Sequence, residues 1–330
     1  MLRLAIYVCP QTVCSSLSLS CDVFGLANQL AGQPLFKLSR FSLDGAAVQL
    51  PYAQISVDGG LDLAADADLV LLPATGSDIA ATLSSNAALV DWLADRPTSQ
   101  QLASLCSSAF LLAAAGVLDG GHATTHWALA AAFRQRFARV RLDEQALFSE
   151  YRNRFCSAGA QAGLDLCLQL IRRHTGAGLA QQVAQALLVD LHRGQQTRFQ
   201  PLLPAVRQDD SPLGALLLWL HQHFAQPLDL HGLAARLHCS SRTLLRRFKL
   251  ETGLTPNDYI QRLRIGAAQL ALQQPQPALE QVAIAVGYQD RATFARLFKQ
   301  LCGETPGAFR RRLQLSQHGA AHAPVAAANG

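Results

Sequence analysis

Arg246-Arg247-Phe248-Lys249, followed by Gly253, Thr255, Pro256 and Tyr259, returns fifty residues later as Arg296-Leu297-Phe298-Lys299, followed by Gly303, Thr305, Pro306 and Phe309. Arg262 and Leu263 return as Arg312 and Leu313. Ahead of each copy lies a short amphipathic segment with alanines and then a break, the pattern of a helix-turn-helix. A solvated helical face explains one pair of arginines. It does not explain why basic surface, aromatic core position and Gly-x-Thr-Pro stop recur in register. Two such units in one chain can address successive major-groove faces of one duplex. The repeat therefore points to sequence-specific binding of double-stranded promoter DNA, not to catalysis.

In the first unit, Leu230, Leu233, Ala234 and Leu237 make a support-helix face, and His238-Cys239-Ser240 make the turn. Ser240 or Ser241 can cap the next helix, expected from about Arg242 to Leu250 with Leu244, Leu245 and Phe248 buried. Arg242 and Arg246 lie four apart, on one face, where each guanidinium can fork onto guanine O6 and N7. Thr243, Arg247 and Lys249 suit phosphates, which fix register without reading bases, and Ser241 joins this DNA-facing set. In the second unit, Leu279, Val282, Ala283 and Val286 support, and Gly287 permits the turn. The second reading helix is expected from about Arg291 to Leu301. Phe294, Leu297 and Phe298 pack, and Arg291, Thr293, Arg296 and Lys299 face outward. A helix over 256–273, stopped by Pro275 and Pro277, can hold the reading helices roughly one duplex turn, about 34 Å, apart.

Charge is distributed to match. Residues 206–315 carry a net +6 and residues 1–205 a net −1, so attraction to polyphosphate is confined to the C-terminal part. Half of the 330 residues are apolar, enough for two domains with cores. The eight cysteines show no CxxC pair and no disulfide spacing, and the histidines form no metal set, so no metal or cofactor is expected. The start reads as a strand rather than a signal peptide. Leu102–Leu118 is too short and serine-rich for a membrane span, which together suit the cytoplasm.

Upstream of the repeat, short strands alternate with helices. Strands are expected at Leu4–Cys9, Phe36–Leu43, Asp68–Leu72, Gln101–Leu105, His122–Thr125 and Asn153–Ser157. Helices are expected at Leu19–Gln29, Ala87–Ala94, Ser107–Ala115, Trp127 to about Phe137, Gly163–His174 and Leu179–Leu191. The alternation implies a mostly parallel sheet covered on both faces. An α/β domain over 1–193, a linker over 194–212, an all-α domain over 213–313 and a disordered tail over 314–330 follow.

Phe248-Lys-Leu-Glu-Thr-Gly-Leu-Thr-Pro with Tyr259, and Val282-Ala-x-Ala-Val-Gly-Tyr with Phe294, Phe298-Lys and Thr305-Pro-x-x-Phe309-Arg310, resemble the AraC/XylS family of transcription regulators. The resemblance covers about residues 210–313. It implies a seven-helix domain with two helix-turn-helices, with Arg242 and Arg246 in the first and Arg291, Ala292 and Arg296 in the second at base-reading positions. Ala292 can touch only a thymine methyl.

In the first domain, Ser104-Leu-Cys106-Ser107-Ser108 lies between an apolar strand and a helix, whose dipole would favour a thiolate. Thr124-Thr125-His126-Trp127 can present an imidazole nearby, and Gly76, after Pro73, can bring backbone N–H groups to a ligand oxygen. With Ile6-Tyr-Val and Asp22-Val-Phe, these residues resemble the ThiJ/PfpI, or class I glutamine amidotransferase-like, family over about residues 2–192. A flavodoxin-like parallel sheet is implied, with Cys106 matching the elbow cysteine and His126 its histidine. The acidic residue that such enzymes carry early in the first helix is Ser16 here, and Asp22 is the candidate substitute. Cys106 stands open between a core thiol, a ligand-pocket residue and a reactive nucleophile. The alternative function is accordingly a Cys106-dependent hydrolase or aldehyde-processing enzyme fused to a DNA-binding domain. Together the halves resemble the GlxA-type subgroup. That resemblance implies a homodimeric activator that works with RNA polymerase and answers to a small-molecule effector at Cys106, His126, Asp22 and Gly76. Members of this subgroup answer to amino-acid or quaternary-ammonium metabolites; no aromatic cage for the latter is visible.

Overall fold

A computed structural model describes residues 1–159, 161–191, 196, 202–203, 211–274 and 277–320. The chain forms two compact units, Met1–Gln196 and Thr197–Gly330.

The first unit begins β1 (Leu2–Tyr7), α1 (Cys14–Ala31), β2 (Phe36–Phe41), β3 (Val48–Gln49), β4 (Gln54–Ile55), α2 (Leu61–Ala65), β5 (Leu69–Leu72), α3 (Ile79–Ser85), α4 (Ala87–Ala94) and β6 (Gln101–Leu105). It continues α5 (Ala109–Ala114), β7 (His122–Ala123), α6 (Ala130–Arg136), β8 (Arg141–Leu142), β9 (Phe148–Tyr151), β10 (Arg154–Ser157), α7 (Ala162–Thr175) and α8 (Ala177–Ala186). The main sheet has the order β2-β1-β5-β6-β10-β9, parallel except where β9 runs against β10. That is a flavodoxin-like winding with an added antiparallel edge. Its central strand β5, Leu-Val-Leu-Leu, is an unbroken apolar run because both faces are covered. In β1 and β5, Leu4, Ile6, Leu69 and Leu71 join one core, and Ala5, Tyr7, Val70 and Leu72 the other. The order of winding reverses between β1 and β5, and it is outside the carboxyl ends of such strands that ligands of this fold class bind.

Several boundaries moved from expectation. α1 begins five residues earlier than expected. The expected helix over 107–115 is a 3₁₀ turn at Cys106–Ser108 followed by the six residues of α5. The strand β9 was not foreseen. Phe-Ser-Glu-Tyr has little apolar alternation, and its pairing is set by the turn to β10, where Arg152 takes a φ of 56°.

The second unit contains, among the described residues, seven helices: α9 (Pro212–His223), α10 (Leu230–Arg236), α11 (Ser241–Thr252), α12 (Pro256–Ala271), α13 (Leu279–Ala285), α14 (Arg291–Cys302) and α15 (Pro306–Ala320). The linker expected over 194–212 lies mostly outside the described residues, but its ends do not behave as linker. Gln196 is buried in the first unit, and Pro212 is the first residue of α9, capped by Ser211. α12 ends at Ala271, before either proline; Pro275 lies outside the described residues. α15 continues to Ala320, past the expected start of the tail, and residues 321–330 lie outside the described residues.

α12 is a beam about 24 Å long shared by two small cores. Its Tyr259, Ile260 and Leu263 pack with α9, α10 and α11 around Phe248. Its Ile265, Ala268 and Leu272 pack with α13, α14 and α15 around Phe298.

Candidate nucleic-acid interface and ligand site

The motif Gly-x-Thr-Pro does the same work twice. Gly253 and Gly303 end α11 and α14 in the left-handed region, at φ of 73° and 76°, where a side chain would be strained. Thr255 Oγ1 accepts from the Asp258 N–H at 3.2 Å and Thr305 Oγ1 from the Ala308 N–H at 3.3 Å, each capping the next helix. Pro256 and Pro306 then start those helices, where the missing N–H has no helical partner anyway. The aromatic position is repeated to the same tolerance. Phe248 meets Tyr259, and Phe298 meets Phe309, each edge-on with centroids 5.4 Å apart.

These devices leave the outer faces of α11 and α14 free. Arg242, Arg246, Arg247 and Lys249 are exposed on α11, as are Arg291, Arg296 and Lys299 on α14. Ser241 is half-buried at the start of α11. Thr243 and Thr293 are half-buried, because each is tied into a cap. The Thr243 N–H donates to Ser240 Oγ at 3.2 Å and the Thr293 N–H to Asp290 Oδ1 at 2.7 Å. Leu245, expected in the core, is 38% exposed; Leu244 and Phe248 fill that space. Three cations outside the two reading helices are engaged instead. Arg262 donates to the Leu202 carbonyl at 3.2 Å, Arg310 to the Pro277 carbonyl at 2.7 Å, and Arg312 to Glu304 at 2.6 Å.

In the first unit, Cys106 follows β6 and takes a φ of 57°. A non-glycine there costs about 1–2 kcal/mol, and the surroundings hold it. Thr125 Oγ1 donates to the Cys106 carbonyl at 2.8 Å, and Ser108 Oγ donates to the Pro73 carbonyl. The adjoining loop is stitched down as well. The Thr75 N–H donates to Ser107 Oγ at 2.9 Å, the Ala74 N–H to Ser16 Oγ at 3.0 Å, and the Val13 N–H to the Ala74 carbonyl at 2.7 Å. Ser16 thus occupies the acid's place in the helix and spends its oxygen on a backbone donor. Gly76, exposed with a φ of 78°, turns that loop outward.

The dipole argument for a thiolate fails here. Burial pushes the Cys106 thiol above its ordinary range, against a smaller opposing effect of the Ser107 N–H. His126 Nδ1 accepts from the Ala128 N–H at 3.2 Å, which leaves the proton on Nε2, and burial lowers its pKa. Among the described residues, no hydrogen bond joins His126 to the Cys106 sulfur. Nor does the structure bring Asp22 to this group. Six residues are about one and two-thirds helical turns, so Asp22 is exposed where Ser16 is buried.

Two features escaped sequence reasoning. A cavity of about 420 Å³ opens at the carboxyl ends of β1 and β2, lined by Tyr7, Cys9, Gln11, Asp44 and Asn86 among others; neither Cys106 nor His126 lines it. Tyr7 Oη donates to Asn86 Oδ1 at 2.6 Å on its floor. Gln196, 3% exposed, accepts from the Trp127 N–H at 3.2 Å and donates to the Thr125 carbonyl at 3.1 Å, pinning the His126 loop. Neither has a local signal, since each gathers residues from distant stretches.

A wound α/β unit with a strand-end elbow, in one chain with a doubled helix-turn-helix, defines a two-domain transcription regulator. Residues 36–173 match the DJ-1/PfpI family and residues 233–312 the Helix-turn-helix domain family. The HTH-type transcriptional regulator GbdR of Pseudomonas aeruginosa is 30% identical over 305 residues, 92% of this chain and 82% of its own length. The HTH-type transcriptional regulator GlxA of Rhizobium meliloti is 30% identical over 302 residues, 87% of this chain and 88% of its own. A candidate transcriptional regulator from Vibrio parahaemolyticus shares the fold of the first unit. Its TM-score is 0.52 at 16% identity, over 56% of this chain and 98% of that one. The chain belongs to the AraC-type helix-turn-helix regulators with an N-terminal DJ-1/PfpI domain, and it is a DNA-binding transcription regulator. No described helix is long and apolar enough to cross a membrane.

Proposed function

We propose that this is a cytoplasmic activator, not an enzyme, whose DNA binding is set by a small polar metabolite held at the carboxyl edge of the first unit's sheet. The observation that carries this reading is the chemistry of the elbow. A catalytic cysteine needs a base in hydrogen-bond reach and free N–H groups for developing charge. Here the histidine caps its own turn, the Ala74 and Thr75 N–H groups are already bonded, and burial disfavours the thiolate. The cavity at the carboxyl ends of β1 and β2 falls within the usual 300–1,000 Å³ range for small-molecule sites. The ligand is then held by Tyr7, Gln11, Asp44 and Asn86, and none of Cys106, His126, Gly76 and Asp22 lines that cavity. On the DNA side, Arg242, Arg246, Arg291 and Arg296 read bases, while Ser241, Thr243, Arg247, Thr293 and Lys299 fix register on phosphates. A homodimer that contacts RNA polymerase completes the reading. A metabolite that prefers one state of the protein tenfold shifts the balance of states by up to about 1.4 kcal/mol, and promoter occupancy with it.

The test is a metabolite panel against full-length protein, read by DNA binding and by turnover. Some metabolite should change DNA affinity in wild type and in Cys106→Ala alike, with no turnover in either. Turnover of glyoxal-like or amide substrates by wild type, lost in Cys106→Ala, overturns the reading in favour of the enzyme.

A further inference from the structure

Arg264 sits on α12 between Leu263, which belongs to the first helical core, and Ile265, which belongs to the second. Its guanidinium reaches out of both. Nε donates to the Phe224 carbonyl at 2.8 Å and Nη2 to the Gln226 carbonyl at 3.0 Å, both just after α9 in the first module. Nη1 donates to the Gly287 carbonyl at 2.9 Å, in the turn of the second module. The same guanidinium lies over the Tyr288 ring, 5.6 Å from its centroid.

Packing across the joint near Arg264 includes Phe224, which meets both cores. Beside Arg264 the space between the modules is an open cleft of about 740 Å³, bordered by Pro227 and Leu228 on one side and Ile284, Asp290 and Thr293 on the other. Backbone meets backbone at one tight point, where a Cβ on Gly287 would lie 2.4 Å from the Ala225 oxygen. A cleft of that size leaves this side of the joint without packing against rotation of one module on the other. Three charge-assisted bonds to backbone carbonyls, fixed by the planar fork of an arginine, oppose it.

We propose that Arg264 is the clasp that sets the angle between the two helix-turn-helix modules, and so the half-site spacing that the protein accepts on DNA. It is a positioning residue and need not touch DNA. Binding of the second module is intramolecular once the first has docked. It adds affinity only when the geometry of the joint matches the geometry of the sites.

The experiment uses full-length protein and duplexes selected with it from a random pool. One selected duplex is rebuilt with one base pair added or removed between its half-sites, and with each half-site alone. Affinities of wild type, Arg264→Ala and Arg264→Lys are measured by fluorescence anisotropy at one salt concentration. Wild type should disfavour the shifted duplexes by about tenfold or more. Arg264→Ala should lose about tenfold on the selected duplex, bind single half-sites as wild type does, and barely distinguish the shifted spacings. Arg264→Lys, with a charge but no fork, should fall between. Wild-type spacing preference in Arg264→Ala overturns the proposal, as does an equal loss on single half-sites, which would mark a phosphate contact or general instability. If Arg264→Ala does not fold by circular dichroism, the lysine variant decides alone, and an unchanged spacing preference in it overturns the proposal.

Discussion

The first module turns from α10 towards α11 at His238, with a φ of 48°, and caps α11 with Ser240. The second turns from α13 towards α14 at Gly287, with a φ of 93°, and caps α14 with Asp290. The backbone solution is shared; the residues are not. His238 is exposed, so its side chain has room and the module bears only a modest conformational cost. Gly287 faces the Ala225 carbonyl, so nothing larger fits. The caps differ in charge, and the turn after Gly287 holds Tyr288 and Gln289 where the first has only Cys239. Duplication preserved the helix stops and the ring contacts, while the turns diverged according to what each one faces.

Gly287→Ala tests that lesson most severely. A left-handed alanine and a Cβ 2.4 Å from a carbonyl oxygen should together cost about 3 kcal/mol, read as a shift in urea midpoint. A near-neutral Gly287→Ala would mean that the two turns are equivalent after all. Next come the reading helices. Arg246→Ala and Arg296→Ala should each weaken binding to a selected duplex by about 1–3 kcal/mol and relax preference at one base, at different half-sites. If every sequence weakens equally, the two arginines hold phosphates, and the modules do not share a reading role.

The caps separate by pH. Ser240→Ala should cost about 1 kcal/mol at any pH. The Thr293 N–H and hydroxyl hold the Asp290 carboxyl below its ordinary pKa. Its contribution is therefore present above the ordinary carboxylate range and lost as pH falls below about 4, through the lowered folded value. Thermal melts of Asp290→Asn against wild type should converge at low pH, and a constant gap there contradicts the assignment. The smallest effect belongs to His238→Gly. Relief at a positive φ nearly balances the added freedom of the unfolded chain, so stability should stay within about 0.5 kcal/mol of wild type. A larger loss would show that the imidazole itself is needed.

How far each region was legible follows from the range of its interactions. The stop and cap of each reading helix are made within about five residues, so Gly253, Thr255, Pro256 and their copies declared themselves. Leu245 misled because two adjacent leucines satisfy the same apolar stripe, and only the neighbours decide that Leu244 goes in. The elbow was legible as a position but not as chemistry. Cys106 follows a buried strand as expected, but burial disfavours its thiolate, and the Ala74 and Thr75 N–H groups, distant in the chain, are taken up by Ser16 and Ser107. Asp22 stood in the right stretch and on the wrong side of α1.

Periodicity, turn residues and an internal repeat are local quantities, so the amino-acid order alone determined two domains, a parallel sheet, a doubled helix-turn-helix and the arginines on its outer faces. The cavity at the ends of β1 and β2, the bonded-down elbow, the burial of Gln196 and the reach of Arg264 into both modules were decided only by the tertiary structure. Each depends on groups far apart in the chain meeting within about 3 Å, at the range where a hydrogen bond forms or a ligand is held. No local pattern encodes that meeting.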